Sequence, residues 1–203
     1  MRSDRRIDFS RKPVLNGGLV TLRPVTLADV PLLHAALADV ELSVLAGAIR
    51  TRAEGEQQRW TVAELEEIYA RWGASHDRIV WVIVDNSSGH VVGESVLNRL
   101  DLHNRSCEFR IWMSEVRDKG LGTEATRLTM SHAFDDQGLN RVELEVYDFN
   151  PRARHVYDKI GFVHEGRRRQ ALLFEGQWVD AHVMAILASD WYENSDQTYL
   201  RPQ

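Results

Sequence analysis

A chain of 203 residues with 43% apolar and 27% charged side chains can bury one sizeable hydrophobic core and is short for two, so one globular domain over 1–203 is expected. Its formal net charge of −5 is the wrong sign for a protein that lives on phosphate backbones, which argues against nucleic acid as a partner. One cysteine, Cys107, excludes an internal disulfide framework and a Cys-rich zinc site, and no run approaches the roughly 18 apolar residues of a membrane span, so a cytoplasmic protein with no membrane partner is expected.

Residues 19–25 (LVTLRPV) alternate apolar and polar as far as Pro24 and read as an edge or first strand. Thr26 and Asp29 have the spacing of a capping box, after which Val30, Leu33 and Leu37 form one apolar helical stripe. Thr61 with Glu64 repeats the signal ahead of Leu65, Ile68, Tyr69 and Trp72. Residues 40–60 between them have no clear period, which predicts a loop with one short helix. IVWVIV from Ile79 is a buried-strand run; NSSG is a turn; HVVGESVLNRL is the second strand of a hairpin. A third strand covers 105–113, a helix 123–136 ending at Gln137-Gly138, and RVELEVY at 141–147 is a fourth strand of this group. Asn150-Pro151 opens a helix to Lys159, and two strands, near 170–174 and 181–187, flank the turn Glu175-Gly176-Gln177. Only the connection from 108–113 to 141–147 is long enough to return parallel, so the sheet should be mixed and mostly antiparallel, an α+β arrangement.

Between strand and helix lies RDKGLG, residues 117–122. Gly120 and Gly122 permit backbone angles and close approaches that a Cβ would block, and the amides of the following helical turn can then converge on an anion. Arg117 and Lys119 raise the local positive potential, which suits a pyrophosphate. These six residues alone are weak evidence, since a strand-to-helix turn with two glycines is often only a turn, and they match neither the P-loop spacing nor G-x-G-x-x-G. A second stretch, VYDFNPRARHVYDKIGF (146–162), puts Asn150, Ala153 and Tyr157 on one helical stripe: an amide, a small residue and a phenol along which a ligand could lie.

Together these stretches resemble the GNAT superfamily of N-acetyltransferases. The family's acyl-CoA motif R/Q-x-x-G-x-G/A is matched by Arg117, Gly120 and Gly122, followed by Thr123-Glu124-Ala125. Its later motif N-x-x-A/S-x-x-x-Y-x-x-x-G-F is matched by Asn150, Ala153, Tyr157, Gly161 and Phe162. The likeness runs from about Leu19 to Trp191, and the tail is similar to the branch of ribosomal-protein N-terminal and spermidine/spermine acetyltransferases.

The resemblance implies the three-layer GNAT acyl-CoA N-acyltransferase fold with splayed parallel central strands and acetyl-CoA as co-substrate; the eight histidines form no HExxH or close ligand pair, so no metal is expected. It implies that amides of Asp118, Lys119, Gly120, Leu121, Gly122 and Thr123 hold the pyrophosphate. The backbone of Ile111, Trp112 and Met113 would pair with the pantetheine arm, Asn150 would bond that arm, and Arg152 or Arg154 would meet the adenosine phosphate or stay on the solvated surface. Tyr157 would protonate the departing thiolate. Glu108 is the first choice of base, against a plain ion pair with Arg110 or Arg141; Glu94, Glu145 and Asp148 are lesser choices. His155 is expected on another helix face, and the run Arg167, Arg168, Arg169 at a solvated hairpin edge. Trp60, Tyr69 and Trp72 are candidates for an acceptor pocket, with core packing favoured for the last two. The acceptor is an amine on a small molecule or protein. A polyamine acceptor, a succinyl donor and a non-catalytic CoA-binding module are the alternatives, and the branch implies a homodimer through the tail strands.

Overall fold

The structure, a computed structural model, describes residues 7–57, 60–114 and 119–199. In chain order the elements are β1 (Leu15–Asn16), β2 (Val20–Pro24), α1 (Val30–Leu37), α2 (Val40–Leu45), α3 (Arg52–Gly55), α4 (Val62–Gly73), β3 (Ile79–Asp85), β4 (Val91–Asp101), β5 (Ser106–Met113), α5 (Leu121–Ser131), β6 (Arg141–Tyr147), α6 (Pro151–Ile160), β7 (Val163–Phe174), β8 (Gln177–Leu187) and α7 (Ala188–Tyr199). The strands form one sheet in the order β1-β2-β3-β4-β5-β6-β8-β7. Every neighbouring pair is antiparallel except β5 and β6, as chain length requires: α5 lies in the connection between them.

The sheet is covered on both faces. On β3, Ile79, Trp81 and Ile83 belong to one apolar cluster with Met130 and Phe134, while Val80 and Val82 belong to another with Val30, Leu33, Leu65 and Tyr69. Alternate residues of a strand point to opposite faces, so a strand buried twice reads as the unbroken run IVWVIV rather than as an alternation. The helix starts follow their signals. Asp29 accepts from the Thr26 N–H and O–H, both at 2.8 Å, and from Arg23 at 2.7 and 2.6 Å. Burial pushes the Asp29 pKa up, but these donors outweigh it and hold it at about 2.

Two expectations are corrected. Residues 40–60 hold two short helices: the Asp39 carboxylate caps α2 and the Thr51 hydroxyl caps α3, and runs of six and four residues are too short to show a period. The last hairpin starts at Val163 rather than near Gln170, because β7 is an edge strand with solvent-facing arginines and so lacks the alternation of a half-buried strand. Those arginines are not all free: Arg167 pairs with Asp148 at 2.8 Å and Asp180 at 3.0 Å, and Arg168 pairs with Glu145. A further helix, α7, ends the described chain, and Trp191 stacks on Phe134 with ring centres 6.0 Å apart.

Glu124, in the first turn of α5, accepts from the backbone N–H groups of Gly18, Leu19 and Val20 at 3.1, 2.7 and 2.8 Å. One carboxylate thus ties the entry to β2 to the helix. Glu124→Ala should lower the unfolding free energy by about 1–3 kcal/mol, since three amides lose a charged acceptor and turn to water. Urea unfolding measures it, and a change under about 0.3 kcal/mol would mean that water replaces the carboxylate without loss.

Candidate active site

The parallel ladder between β5 and β6 is short. It pairs Ser106, Cys107 and Glu108 with Arg141, Val142 and Glu143 and then stops. Beyond it β5 continues to Met113 against β4, and β6 continues to Tyr147 against β8, so the two strands part from Phe109 and Leu144 onward. Backbone direction can be read from the bonds on either side. The Ser114 N–H donates to Val92 O, toward β4, at 2.8 Å, whereas Arg105 O accepts from Asn140 N at 2.7 Å, at the start of β6. Alternation along the strand then turns the N–H and C=O groups of Ile111 and Met113 into the gap. Such groups need partners, and an extended ligand carrying amides supplies them as an added strand would.

The mouth of α5 opens beside that gap. Gly120 is its N-cap, at φ +77°, and offers no side chain to cap it. The first helical bond runs from Glu124 N to Gly120 O at 3.0 Å, leaving the N–H groups of Leu121, Gly122 and Thr123 without a helical acceptor. The Gly122 position faces Met113 of β5, whose Cγ would lie 3.4 Å from an added Cβ, so helix and strand run side by side here. Lys119 and Arg152 border the same space, and with the positive end of the helix they make it attractive to an anion.

A cavity of about 600 Å³ gathers Ile111, Trp112, Met113, the run Lys119 to Thr123, Asn150, Ala153 and Tyr157. Asn150 caps α6: its Oδ1 accepts from Ala153 N at 3.1 Å, which leaves the side-chain NH₂ for other partners. Tyr157 is 7% exposed, packed edge-on to Phe109 and tilted against Phe162, with centroids 6.3 and 5.7 Å away. Its hydroxyl has no hydrogen-bond partner among the described residues, and burial pushes its pKa up.

Other expected site residues lie elsewhere. Arg117 and Asp118 fall outside the described residues. Glu108 does not border the cavity; it pairs at 2.7 Å with Arg99, and neither Arg110 nor Arg141 is the partner found, since Arg141 binds Glu143 and Glu165. Arg154 lies 3.3 Å from His182 and off the cavity, leaving Arg152 as the arginine on its wall. Glu145 and Asp148 are engaged by Arg168 and Arg167. Neither Trp60, Tyr69 nor Trp72 borders the cavity; Tyr69 is buried against α1 and β3. His155 does border it, contrary to expectation. Arg152, His155 and Val156 make a stripe beside that of Asn150 and Ala153, a spacing already visible in the sequence. Asp39, Glu41 and Leu42 of the α2 region also line the cavity, and for them the sequence carried no signal.

The family model of the acetyltransferase (GNAT) domain matches residues 20–163. The spermidine N(1)-acetyltransferase of Escherichia coli (strain K12) is 29% identical over 187 residues, 90% of this chain and 95% of that one. A putative ribosomal N-acetyltransferase of Bacillus subtilis is 34% identical over 104 residues, 51% of this chain and 57% of its own length. Among solved structures, a GCN5-related N-acetyltransferase from Brucella melitensis superposes with a TM-score of 0.74 at 25% identity, covering 98% of this chain and 90% of its own. The spermidine N-acetyltransferase of Vibrio cholerae, solved with CoA and spermine, has the same fold: TM-score 0.77, 24% identity, 87% and 99% covered. With the parted strands, the uncapped helix mouth and these likenesses together, the chain belongs to the GNAT acetyltransferase family.

Proposed function

We propose that this N-acetyltransferase moves an acetyl group from acetyl-CoA to a primary amine, on a protein N-terminus, a lysine or a small molecule, by direct attack in a ternary complex. The observation that carries the reading is the ladder that stops at Glu108 beside a helix mouth without a cap, both opening on one cavity. Acetyl-CoA fits what is there. Backbone groups of Ile111 and Met113 pair with the amides of its arm, the NH₂ of Asn150 bonds the same arm, and the amides of Leu121 to Thr123, with Lys119 and Arg152, hold its phosphates.

A lysine-like amine of pKa about 10.4 is neutral only about once in 2500 at pH 7, a deficit of roughly 4.6 kcal/mol, so a proton must leave before attack. Glu108, off the cavity and bound to Arg99, is placed to take it only through water. The Met113 N–H faces the gap and donates to the carbonyl oxygen as negative charge gathers there. Tyr157 gives its proton to the departing sulfur.

A polyamine acceptor is the second reading. Asp39 and Glu41 border the same cavity, in a chain of net charge −5, and its relatives include spermidine acetyltransferases. Glu41 is paired with Arg52 at 2.8 Å, which reduces that acidic wall. Among the described residues no helix is long and apolar enough to cross a membrane, and a cytoplasmic homodimer completes the proposal. Purified protein with acetyl-CoA or succinyl-CoA, screened for thiol release against peptides, polyamines, aminoglycosides and amino acids, tests the reading. Turnover of acetyl-CoA with one class of amine is expected; CoA binding without thiol release from any of them would leave only a binding module.

A further inference from the structure

Glu94 is a buried acid for which the chemistry above has no use. It lies on β4, directly across the strand pair from Trp112, and is 7% exposed. The layer around it is apolar: Val80, Val82, Val96, Leu65 and the ring of Tyr69. Its carboxylate accepts from the Tyr69 hydroxyl at 2.7 Å, and the Trp112 indole, directly across the strand pair, is the other side-chain donor that acts on it. The charged groups facing it are Arg78, which sits over the Trp72 ring at 4.5 Å, and Arg110 of β5. Burial pushes the Glu94 pKa up to about 7 despite these partners. A layer built only for stability would place a valine or leucine here, because an acid taken out of water is repaid only by the bonds it makes.

Those bonds lead toward the site. Of the two donors to Glu94, Trp112 alone also borders the cavity, and it stands between Ile111 and Met113, whose backbone groups face the gap. We propose that Glu94 is a positioning residue: by gripping the indole of Trp112 it fixes the backbone of 111–113 in the place where the acyl arm and the acetyl carbonyl are received. Beyond Glu108 this stretch has no β6 partner on one side, so a side-chain anchor supplies part of the rigidity that a neighbouring strand would have given.

The proposal rests on the acetyl-transfer reading, and the controls separate the two. Wild-type protein, Glu94→Leu and Glu94→Gln are compared in thiol release with an accepted amine and in acetyl-CoA affinity by calorimetry. Glutamine keeps the shape: its oxygen takes the indole N–H, and its NH₂ donates to the Tyr69 oxygen, which accepts as readily as it donates. Glu94→Leu should lower kcat at least about tenfold and weaken acetyl-CoA, whereas Glu94→Gln should restore both to within about threefold of wild type. A folded Glu94→Leu with wild-type kcat and affinity overturns the proposal, and so does a Glu94→Gln as impaired as the leucine variant. Should Glu94→Leu fail to fold, Trp112→Phe, which keeps a ring and drops the donor, must show the same losses; full activity there overturns it. Absence of thiol release in the wild type counts against the transfer reading, whereas wild-type turnover beside an unimpaired Glu94→Leu counts against this one.

Discussion

Tyr157→Phe should lower kcat by about 10²–10⁴-fold with any accepted amine while leaving acetyl-CoA affinity within about twofold. The substitution removes one oxygen and keeps the ring, so the packing of Phe109 and Phe162 against it survives. What is lost is a donor that nothing else among the described residues engages, on the wall of the cavity proposed to receive the thioester. A thiol of pKa near 8.5 is a moderate leaving group as the anion, and a proton supplied in the transition state spares the developing charge from forming in a water-poor site. Burial pushes the Tyr157 pKa up, so the hydroxyl stays protonated through neutral pH and above, and kcat should show no fall from its ionisation below pH 10. Steady-state rates and calorimetry on the same preparations decide it. Equal turnover by the phenylalanine variant would take Tyr157 out of the acid role.

The elements that position the site were legible because each has a local cause. The double burial of β3 shows as an apolar run, the turn that leads into α1 and the start of α4 as capping pairs, and the α5 and α6 mouths as Gly120 and the Asn150-Pro151 pair. Asn150, Ala153 and Tyr157 meet on one cavity because helical spacing alone puts them on one stripe. What stayed hidden depends on contacts between distant segments. The partner of Glu108 is Arg99, a residue at φ +54° beside a ladder irregularity in β4, so no regular strand register predicts that pair. The start of α3 is tied to the turn of the last hairpin, where the Glu175 N–H donates to Arg50 O at 2.9 Å and the Glu175 carboxylate accepts from Arg52 N at 2.7 Å, and Arg52 in turn pairs with Glu41 of the α2 wall at 2.8 Å. No spacing rule links positions so far apart. The proposed acceptor side of the cavity draws on that part of the fold, and the sequence accordingly named a donor more readily than an acceptor.

Gly120→Glu should abolish acetyl-CoA binding at concentrations where the wild type saturates, a loss of at least about 10²-fold. Space is not the reason, since the nearest atom to an added Cβ is Leu19 Cδ1 at 3.5 Å, an ordinary contact. Two other effects add. The N-cap backbone sits at φ +77°, where an L-residue costs about 1–2 kcal/mol, so the loop must shift and carry its amides out of register with the phosphates. The new carboxylate also stands at the helix mouth, where it takes for itself the N–H groups of Leu121, Gly122 and Thr123 and meets the phosphate as a like charge, worth up to about 4 kcal/mol at contact in a partly shielded site. The two effects separate in a series. Gly120→Asn tolerates the left-handed backbone without adding charge and should bind within about tenfold of wild type; Gly120→Ala should fall between them. Because the mouth is at the surface and Gly120 is not a core position, all three should unfold within a few degrees of wild type, so the affinity order reflects the loop rather than global collapse. An acetyl-CoA affinity equal across the series would mean that the phosphates rest elsewhere, and the helix mouth would lose its role.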